Sequence, residues 1–357
     1  MPDVVLFPYL SLDKRVRVGP WELIPKKDLK AEDAVDEPTY KLAQLHLALY
    51  ALPDVGLAKG CGCLARFDSR RIGEPVGLGL LHPLRCSVLG AVLSVNPEDD
   101  AKNPGLYAST SENVTVYAHP LNNEGRVSVR YGSMMRTTVG IFQISEMPSS
   151  IPYPVELHLP IYNQLDGDLA DALYPLVIQN TDEGRRLSTT LDWLDVAWRN
   201  TESVTSAVRI MALKSGFEVL LDVGEKVEDG RAALSALLDE PGTAKQSRTH
   251  KNRKGTADVT IQVTDLEWWF TTFAFLRNKI AHGNVILEAD WQYEGKNQVM
   301  IAQRVLLEAI RKKVAALSGK LDLLIKDPYS RAFEKAWKEV LVEFDFAEGG
   351  AGHSELQ

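Results

Sequence analysis

The chain has few cysteines and no long uninterrupted apolar run. Its three cysteines, Cys61, Cys63 and Cys86, are too few for a disulfide framework, which favours a reducing compartment. The longest apolar stretch, Val76 to Val95, is broken by glycine, histidine, proline and arginine, so no membrane helix is predicted. The opening Met-Pro-Asp has no basic segment followed by an apolar core, as a secretory signal has. We therefore expect a cytoplasmic protein.

The sequence also lacks an excess of positive charge and several enzyme signatures. With 40 Lys and Arg against 48 Asp and Glu, the net charge is −8, so any contact with nucleic acid must be local. No glycine-rich phosphate loop, Ser-His-Asp signature or His-Glu-x-x-His zinc pattern occurs. The three cysteines could offer thiolates to zinc, but no fourth ligand of fitting spacing is evident. Ordinary buried cysteines are favoured, and we expect no metal or cofactor.

The first part of the chain has the pattern of short elements. Val114–Tyr117 and Val127–Tyr131 alternate apolar and polar residues on either side of Asn122-Asn123-Glu124-Gly125, which predicts a β-hairpin. Gly140 to Ile144 predicts another strand. Two helices are expected here, at about Thr39 to Ala51 and Ala170 to Gln179. Residues 1–180 are therefore interpreted as a mostly β or α+β domain with a sensing, regulatory or specificity role.

After Gly184 the periodicity becomes helical and proline is almost absent. Apolar positions recur every three or four residues in two successive segments, first Leu187, Leu191, Leu194 and Trp198, then Val204, Val208 and Met211. Further helices are predicted at about Gln298 to Leu317 and Pro328 to Phe344. The fold class expected is thus an α+β two-domain protein, in which residues 184–345 form an all-α helical bundle. Residues 346–357 are expected to be a flexible tail.

One helix in this second part has clear signals at both ends. Thr264 and Glu267 have the spacing of a capping box, and Gly283 suits the left-handed residue that closes a helix at His282. Between these ends one apolar stripe is expected to form the core face: Leu266, Trp269, Phe270, Phe273, Leu276 and Ile280. Trp269 is therefore assigned to the core, whereas the role of Trp268 stays open.

The end of this helix carries the residues with the clearest chemistry. In Phe275-Leu-Arg-Asn-Lys-Ile-Ala-His-Gly283, Arg277 and His282 are separated by four residues and Asn278 follows the arginine. This string resembles the motif of the HEPN superfamily, an Arg and a His separated by four to six residues with a polar residue commonly after the Arg. The resemblance extends over residues 184 to 344. Ser215–Leu221 is similar to the helix that carries an acidic residue in Apea-like HEPN domains, which implies a supporting role for Glu218.

The resemblance implies a metal-independent endoribonuclease with catalytic residues Arg277, Asn278 and His282. On an ideal helix Asn278 and His282 share a face, whereas Arg277 is rotated by about 140° from His282. HEPN nucleases are similar in completing such a site by dimerisation, so a homodimer is expected. A histidine can take the proton of the ribose 2′-hydroxyl or protonate the leaving oxygen, and an arginine can stabilise the charged transition state. A 2′,3′-cyclic phosphate product is predicted.

The family also implies partners and a biological role. RNA, such as tRNA, is the expected substrate, and the role by analogy is that of a toxin or an effector of antiviral defence by abortive infection. A phage-derived trigger or an antitoxin would regulate it. Some HEPN toxins carry a tyrosine two residues after the histidine, where a nucleotidyltransferase can modify it. This chain has Asn284 at that position, which puts that mode of control in doubt.

A basic run precedes the motif helix. Its five cations are Lys245, Arg248, Lys251, Arg253 and Lys254. They could guide an RNA backbone toward the site. A solvated, mobile loop is an equally good account of the same composition, since charged segments without apolar residues cannot pack.

The residues leave three alternatives open. His282 and Arg277 can be a helix-terminal cation and a surface ion-pair partner with no catalytic role. The helical part can be a catalytically silent HEPN module that binds RNA or a protein. An unrecognised enzyme can lie in residues 1–165, with the helical part serving for dimerisation.

Overall fold

The computed structural model describes residues 4–49, 62–95, 111–119, 128–132, 139–143, 165–199, 203–238, 245–251 and 257–325. Within these stretches the chain has mixed α and β content, and helices predominate. The chain divides into two compact units, Met1–Glu202 and Ser203–Gln357. No helix in the described stretches is long and apolar enough to cross a membrane. The helix expected from Pro328 to Phe344 and the tail after residue 345 lie outside the described residues.

The first unit contains an antiparallel sheet. Its seven described strands are β1 (Val4–Phe7), β2 (Val16–Val18), β3 (Trp21–Pro25), β4 (Cys63–Phe67), β5 (Tyr117–His119), β6 (Ser128–Gly132) and β7 (Val139–Gln143). Their spatial order is β2-β3-β4-β1-β5-β6-β7, and every residue of the central β1 is buried. β5 pairs with β6, which confirms the second strand of the predicted hairpin, but the first strand begins at Tyr117, where the predicted one ended. The turn of the hairpin lies outside the described residues. Val114 belongs to a short 3-10 helix rather than to a strand.

Four helices are described in the first unit. They are α1 (Glu37–Leu49), α2 (Leu81–Leu93), α3 (Gly167–Ile178) and α4 (Asp182–Ala197). The positions of α1 and α3 confirm the two helices predicted there. The helices α2, α3 and α4 pack against one another, and α3 also meets the turn between β2 and β3, where its Asp171 carboxylate accepts from the Gly19 amide at 3.0 Å.

The sequence patterns did not predict α2. Every residue from Pro83 to Leu93 is buried, and a helix that is apolar on all sides has no amphipathic period to detect. At Gly90 an added Cβ atom would lie 3.0 Å from Leu173 and 3.1 Å from Leu191. Glycine at this position therefore allows α2 to pack closely on α3 and α4.

A buried ionic group joins α2 to α4. The Arg85 guanidinium donates to the Asp195 carboxylate at 2.6 Å, and Arg199 donates to the same carboxylate at 2.8 Å. Arg85 also donates to the Val114 carbonyl at 3.0 Å. Asp195 is 2% exposed, so this carboxylate depends on its two cations for solvation.

The boundary between the units falls later than the sequence interpretation placed it. The expected helical domain began at residue 184, which would include α4. In the structure α4 belongs to Met1–Glu202, and its predicted apolar stripe is buried against α2 and α3 at Leu187, Leu191 and Leu194. The helices of the second unit therefore begin with the segment after residue 202.

The second unit is built mainly from helices. Its described elements are α5 (Ser206–Leu221), α6 (Val227–Leu238), β8 (Gln246–Lys251), β9 (Asp258–Val263), α7 (Asp265–Ala281), β10 (Gln292–Tyr293), β11 (Lys296–Asn297), α8 (Gln298–Ser318) and α9 (Asp322–Ile325). The expectation of an all-α second part is wrong, because β8 and β9 form an antiparallel hairpin and β10 and β11 a shorter one. The apolar and polar residues of β9 alternate as Val259, Ile261 and Val263, which suits a strand.

Aromatic side chains form the core between α5 and α7. The Phe217 ring lies edge-on to those of Trp269, Phe270 and Phe273, with ring centroids 5.6 to 6.2 Å apart. Leu266 and Leu276 are buried as well, so most of the predicted stripe of α7 is confirmed.

The stripe predicted for the start of α5 is wrong. Val208 is 40% exposed, and the buried side chains of α5 are instead Ile210, Leu213, Phe217 and Leu220. Apolar residues lie on several sides of this helix, so the period alone did not decide which side faces the core.

Candidate active site

The helix α7 begins at the capping box that the sequence predicted. The Thr264 hydroxyl accepts from the Glu267 amide at 3.2 Å, and the Glu267 carboxylate accepts from the Thr264 amide at 2.9 Å. These bonds satisfy two amides that a helix start otherwise leaves unpaired. The cap therefore fixes the first residue of a helix whose other end carries the motif.

The other end of α7 closes in a Schellman motif. The Gly283 amide donates to the Ile280 carbonyl at 3.1 Å, and the Asn284 amide donates to the Lys279 carbonyl at 2.9 Å. Gly283 has a φ of 65°, so the predicted left-handed closing residue is confirmed. His282 is the last residue before this turn, and its side chain is exposed. No hydrogen bond or ion pair of its imidazole is present within the described residues.

Arg277 and Asn278 are held together. The Arg277 Nη1 donates to the Asn278 Oδ1 at 3.2 Å, although adjacent residues on a helix point in different directions. The arginine side chain is long enough to reach the Asn278 amide oxygen despite this difference in direction. Arg277 is half-buried, and its Nε atom is buried without a hydrogen-bond partner in the described part of the chain. The buried Nε is out of reach of a ligand, so an anionic oxygen would have to bind at the terminal nitrogens of the guanidinium.

The structure thus brings together two of the three predicted catalytic residues. Asn278 and His282 are one turn apart on the same face of α7, as expected. Among the described residues, no hydrogen bond joins His282 to Arg277 or Asn278. The three residues of one chain form a short segment with an exposed imidazole at its end and, five residues earlier, a guanidinium that is hydrogen-bonded to Asn278.

Glu218 does not contact the motif within the described residues. Its carboxylate accepts from Lys214 Nζ at 2.7 Å, one turn earlier on α5. Lys214 is itself buried and its ammonium group lies 5.5 Å from the centre of the Phe270 ring. The contact that is present indicates that Glu218 neutralises a buried lysine in the core next to α7.

A groove of about 450 Å³ lies along another side of α7. Three aromatic side chains from two elements line it: Trp268 and Phe275 on α7, and Tyr293 on β10. Burial raises the pKa of Tyr293, so this phenol stays neutral. The groove is large enough to take a planar ring between aromatic surfaces.

The charges around this groove are balanced. Two cations, Arg248 and Lys279, and two carboxylates, Asp290 and Glu294, line it. Lys279 Nζ donates to the Asp290 carboxylate at 2.6 Å. Partial burial raises the pKa of Asp290, but the hydrogen bonds from Lys279 and the Leu287 amide outweigh it and hold this pKa below its usual value. The hydrogen-bond donors and acceptors of this lining suit a nucleobase. The balanced charges do not give the strong positive potential that would favour a phosphate.

Part of the basic run lies on a strand: of its five cations, Arg248 and Lys251 belong to β8. Arg248 and His250 face α7 from β8, with Arg248 in an ion pair to Asp265 at 3.4 Å. The His250 ring lies 5.2 Å from the Phe275 ring and 6.3 Å from that of Trp268. Lys245 is exposed just before β8, and Lys251 is its last residue. Arg253 and Lys254 lie outside the described residues.

Sequence reasoning missed the second face of α7. Trp268, Thr272, Phe275 and Lys279 recur every three or four residues, which is the spacing of a helix face that meets another surface. This signal was overlooked because the larger apolar stripe on the opposite side of the helix dominates the pattern. Trp269 is fully buried, which confirms its assignment to the core, and Trp268 belongs to the groove.

Comparisons with known proteins identify no relative of this chain. No family model, no curated protein and no solved structure matches it.

Proposed function

We propose that this chain is a metal-independent endoribonuclease of HEPN type that cuts RNA by attack of a ribose 2′-hydroxyl. The observation that carries the proposal is the end of α7. There the exposed imidazole of His282 follows, five residues later, the Arg277 guanidinium that is hydrogen-bonded to Asn278. These are the groups that proton transfer and transition-state stabilisation need.

The roles of the residues follow from their chemistry. His282 accepts the proton of the 2′-hydroxyl or donates one to the leaving 5′-oxygen, since imidazole can do either near neutral pH. Arg277 binds the non-bridging phosphate oxygens, whose negative charge grows in the transition state. Asn278 is a positioning residue, because its amide oxygen accepts from Arg277.

Within the described part of the second unit, no second histidine is suitably placed to act with His282. The described part of the second unit contains one other histidine, His250, whose ring contacts Phe275. Phe275 precedes His282 by seven residues, which is about 10 Å along a helix. A single phosphate needs its acid and base within about 3 Å of the reacting oxygens. We therefore propose that a second copy of the chain brings its own motif to complete the site in a homodimer.

The groove gives this nuclease a way to hold its substrate. A base that leaves the stack can lie against Trp268 or Phe275, and stacking on an aromatic side chain contributes about 1–3 kcal/mol per base. Arg248 and Lys279 line the same groove, and Lys245 and Lys251 lie on the adjoining hairpin. This arrangement favours single-stranded RNA or an RNA loop, such as those of tRNA, as substrate.

The biological role in this proposal is that of a cytoplasmic toxin or antiviral-defence effector acting by abortive infection. An enzyme that cuts cellular RNA has to be restrained until it is needed. The first unit is proposed to sense a phage-derived trigger or to bind an antitoxin. The support for this role is the family resemblance of the motif alone.

The test is an RNA-cleavage assay with purified full-length protein in EDTA. Wild type, His282→Ala and Arg277→Ala are compared on total RNA and on tRNA. Two matched controls are Arg185→Ala, which removes an exposed arginine from α4, and His353→Ala near the C-terminus. The proposal expects cleavage by wild type and both controls, and a loss of at least about 100-fold in the two motif variants.

Different results would identify a different function. RNA binding without cleavage, equal in wild type and both motif variants, indicates a binding module and contradicts the nuclease. Cleavage that persists in His282→Ala places any active site elsewhere, for example in residues 1–165. Circular dichroism of each variant separates loss of activity from loss of folding.

A further inference from the structure

Three potential metal ligands of the first unit lie within 4.8 Å of one another: His82 and Cys86 on α2, and Asp192 on α4. His82 and Cys86 are four residues apart, so both point from the same face of their helix. The His82 Nε2 is 3.1 Å from the Asp192 Oδ1 and 3.6 Å from the Cys86 Sγ. One ring nitrogen is therefore close to both of the other donors.

The two distances from His82 Nε2 are close to edges of a tetrahedral zinc site. Zinc bonds to imidazole nitrogen and carboxylate oxygen are about 2.0–2.2 Å long, and those to thiolate sulfur are about 2.3 Å. In a tetrahedron such bonds place N and O about 3.3 Å apart, and S and N about 3.6 Å apart. The third pair, the Cys86 sulfur and an Asp192 oxygen, lies within 4.8 Å, so binding requires the exposed His82 and Asp192 side chains to adjust toward a common centre.

We propose that His82, Cys86 and Asp192 bind one Zn²⁺ ion per chain. Imidazole, thiolate and carboxylate are all ligands that zinc accepts. The side chains of His82 and Asp192 are 38% and 42% exposed, which gives an ion a path from solvent and leaves its fourth position to water. The bound ion links α2 to α4, and the site takes no part in the RNA cleavage proposed above.

A cysteine nucleophile does not fit the geometry of this cluster as well as a metal ion does. A cysteine nucleophile paired with a histidine and an aspartate needs contact with substrate, but Cys86 is fully buried. In such a triad the two ring nitrogens face different partners, whereas here Nε2 is the nearer nitrogen to both. Helical spacing alone also places Cys86 beside His82, so a simple ion pair between His82 and Asp192 is the outcome in which the protein binds no zinc.

The test uses full-length protein freed of metal by a chelator and then dialysed. Titration with Zn²⁺ alone, followed by calorimetry and by metal analysis, is expected to give one ion per chain and a higher unfolding temperature. Titration with Co²⁺ is expected to produce the ultraviolet absorption of a thiolate bound to cobalt. His82→Asn and Asp192→Asn change exposed side chains, and each is expected to lower the zinc affinity by more than about 100-fold. Loss of a residue that only hydrogen-bonds to a metal ligand typically lowers the affinity by about 10- to 100-fold.

Substitution of cysteines identifies the sulfur ligand. Cys86→Ser is expected to abolish the cobalt–thiolate absorption, whereas Cys63→Ser leaves it intact, because the buried Cys63 on β4 donates to the Leu10 carbonyl. The proposal is overturned if wild type binds no stoichiometric zinc, or if His82→Asn and Asp192→Asn bind zinc as wild type does. These outcomes do not depend on whether the protein cleaves RNA.

Discussion

His282 and Arg277 are five residues apart on α7 and differ in their surroundings. The imidazole is exposed at the helix end, where a substrate or a second chain can reach it. The guanidinium is half-buried and already oriented by Asn278, so little rotational freedom is lost when it binds a phosphate. A charged arginine and an accessible histidine are the groups that the proposed attack on a phosphodiester needs, and a second chain is proposed to bring them together at one phosphate.

Arg248 provides a test of the groove. Its guanidinium lines the groove next to Trp268, so we expect Arg248→Ala to weaken RNA binding and to lower the slope of log K against log salt by about 1. Fluorescence anisotropy with a labelled single-stranded RNA, at several salt concentrations, measures this slope. Lys226→Ala, at an exposed position before α6, is the matched control. An unchanged slope in Arg248→Ala would remove the groove from the RNA-binding surface.

Most of what the sequence predicted of the site concerns single residues with local signals. Thr264, Glu267 and Gly283 act on their own backbone neighbours, so spacing along the chain was enough to assign them. Phe275 and Tyr293 were not assigned, because they meet only through the folding of separate elements. The contact of Glu218 with Lys214 was missed as well, since the family resemblance pointed to the motif instead.

At the scale of elements, the start of α7 controls how the motif is presented. Thr264→Ala removes the hydroxyl that caps the Glu267 amide. We expect it to lower the free energy of unfolding by about 1 kcal/mol. Urea denaturation measures the loss. Thr272→Ala lies inside the same helix, where alanine is the better helix former, and is expected to cost less than Thr264→Ala. Equal losses in the two variants would contradict the role assigned to the cap.

The link between α2 and α4 has a predictable pH dependence. Burial would raise the pKa of Asp195, but the charges of Arg85 and Arg199 hold it below its usual value. The unfolded chain therefore binds this proton first as the pH falls. The stabilisation is complete above the pKa that an aspartate has in the unfolded chain, which is about 4. It is lost as the pH falls through the lower pKa that Asp195 has in the folded protein.

Asp195→Asn tests this link. We expect it to destabilise the protein by about 3–5 kcal/mol at neutral pH, because Arg85 is left buried without its counter-charge. Between about pH 5 and pH 2 the stability of the variant should fall less steeply than that of wild type. Denaturant unfolding at several pH values measures both effects. Asp182→Asn, in an exposed pair with Arg185, should change little, and a similar effect of both variants would contradict the argument.

The elements found from the sequence are those with a visible period. The helices α1, α3, α4, α7 and α8 each have one apolar side or clear end signals. The helix α2 has neither, because it is buried all round. The strand β8 was interpreted as a possible loop, since its residues are polar and its strand character follows from pairing with β9. The structures of α2 and β8 both depend on tertiary contacts, which the spacing of residues along the sequence does not show.

At the scale of the whole molecule, the second unit carries the motif and the groove, while the sheet and the proposed zinc site belong to the first. The expected boundary near residue 184 differs from the observed one after Glu202, because a helical period shows that α4 is a helix but not which neighbours bury it. The proposed nuclease is therefore centred on α5 to α8 and on the β8–β9 hairpin.

If two chains share one active site, mixing active and inactive chains should lower the activity by a predictable factor. When wild type and His282→Ala are co-expressed in equal amounts and assort at random, a site that needs both copies is expected to keep about a quarter of the wild-type activity per total protein. If each chain carries a complete site, the mixture is expected to keep about half of the wild-type activity per total protein. A cleavage assay on the purified mixture distinguishes these values, and Arg185→Ala in place of His282→Ala should leave the activity unchanged.

The most direct measurement of the central claim is the identity of the ends that wild-type protein leaves on RNA in EDTA. Attack by the 2′-hydroxyl predicts a 2′,3′-cyclic phosphate on one fragment and a 5′-hydroxyl on the other, and neither should form with His282→Ala. Fragments with 3′-hydroxyl and 5′-phosphate ends, or cleavage that occurs only when divalent metal is added back, would contradict the account.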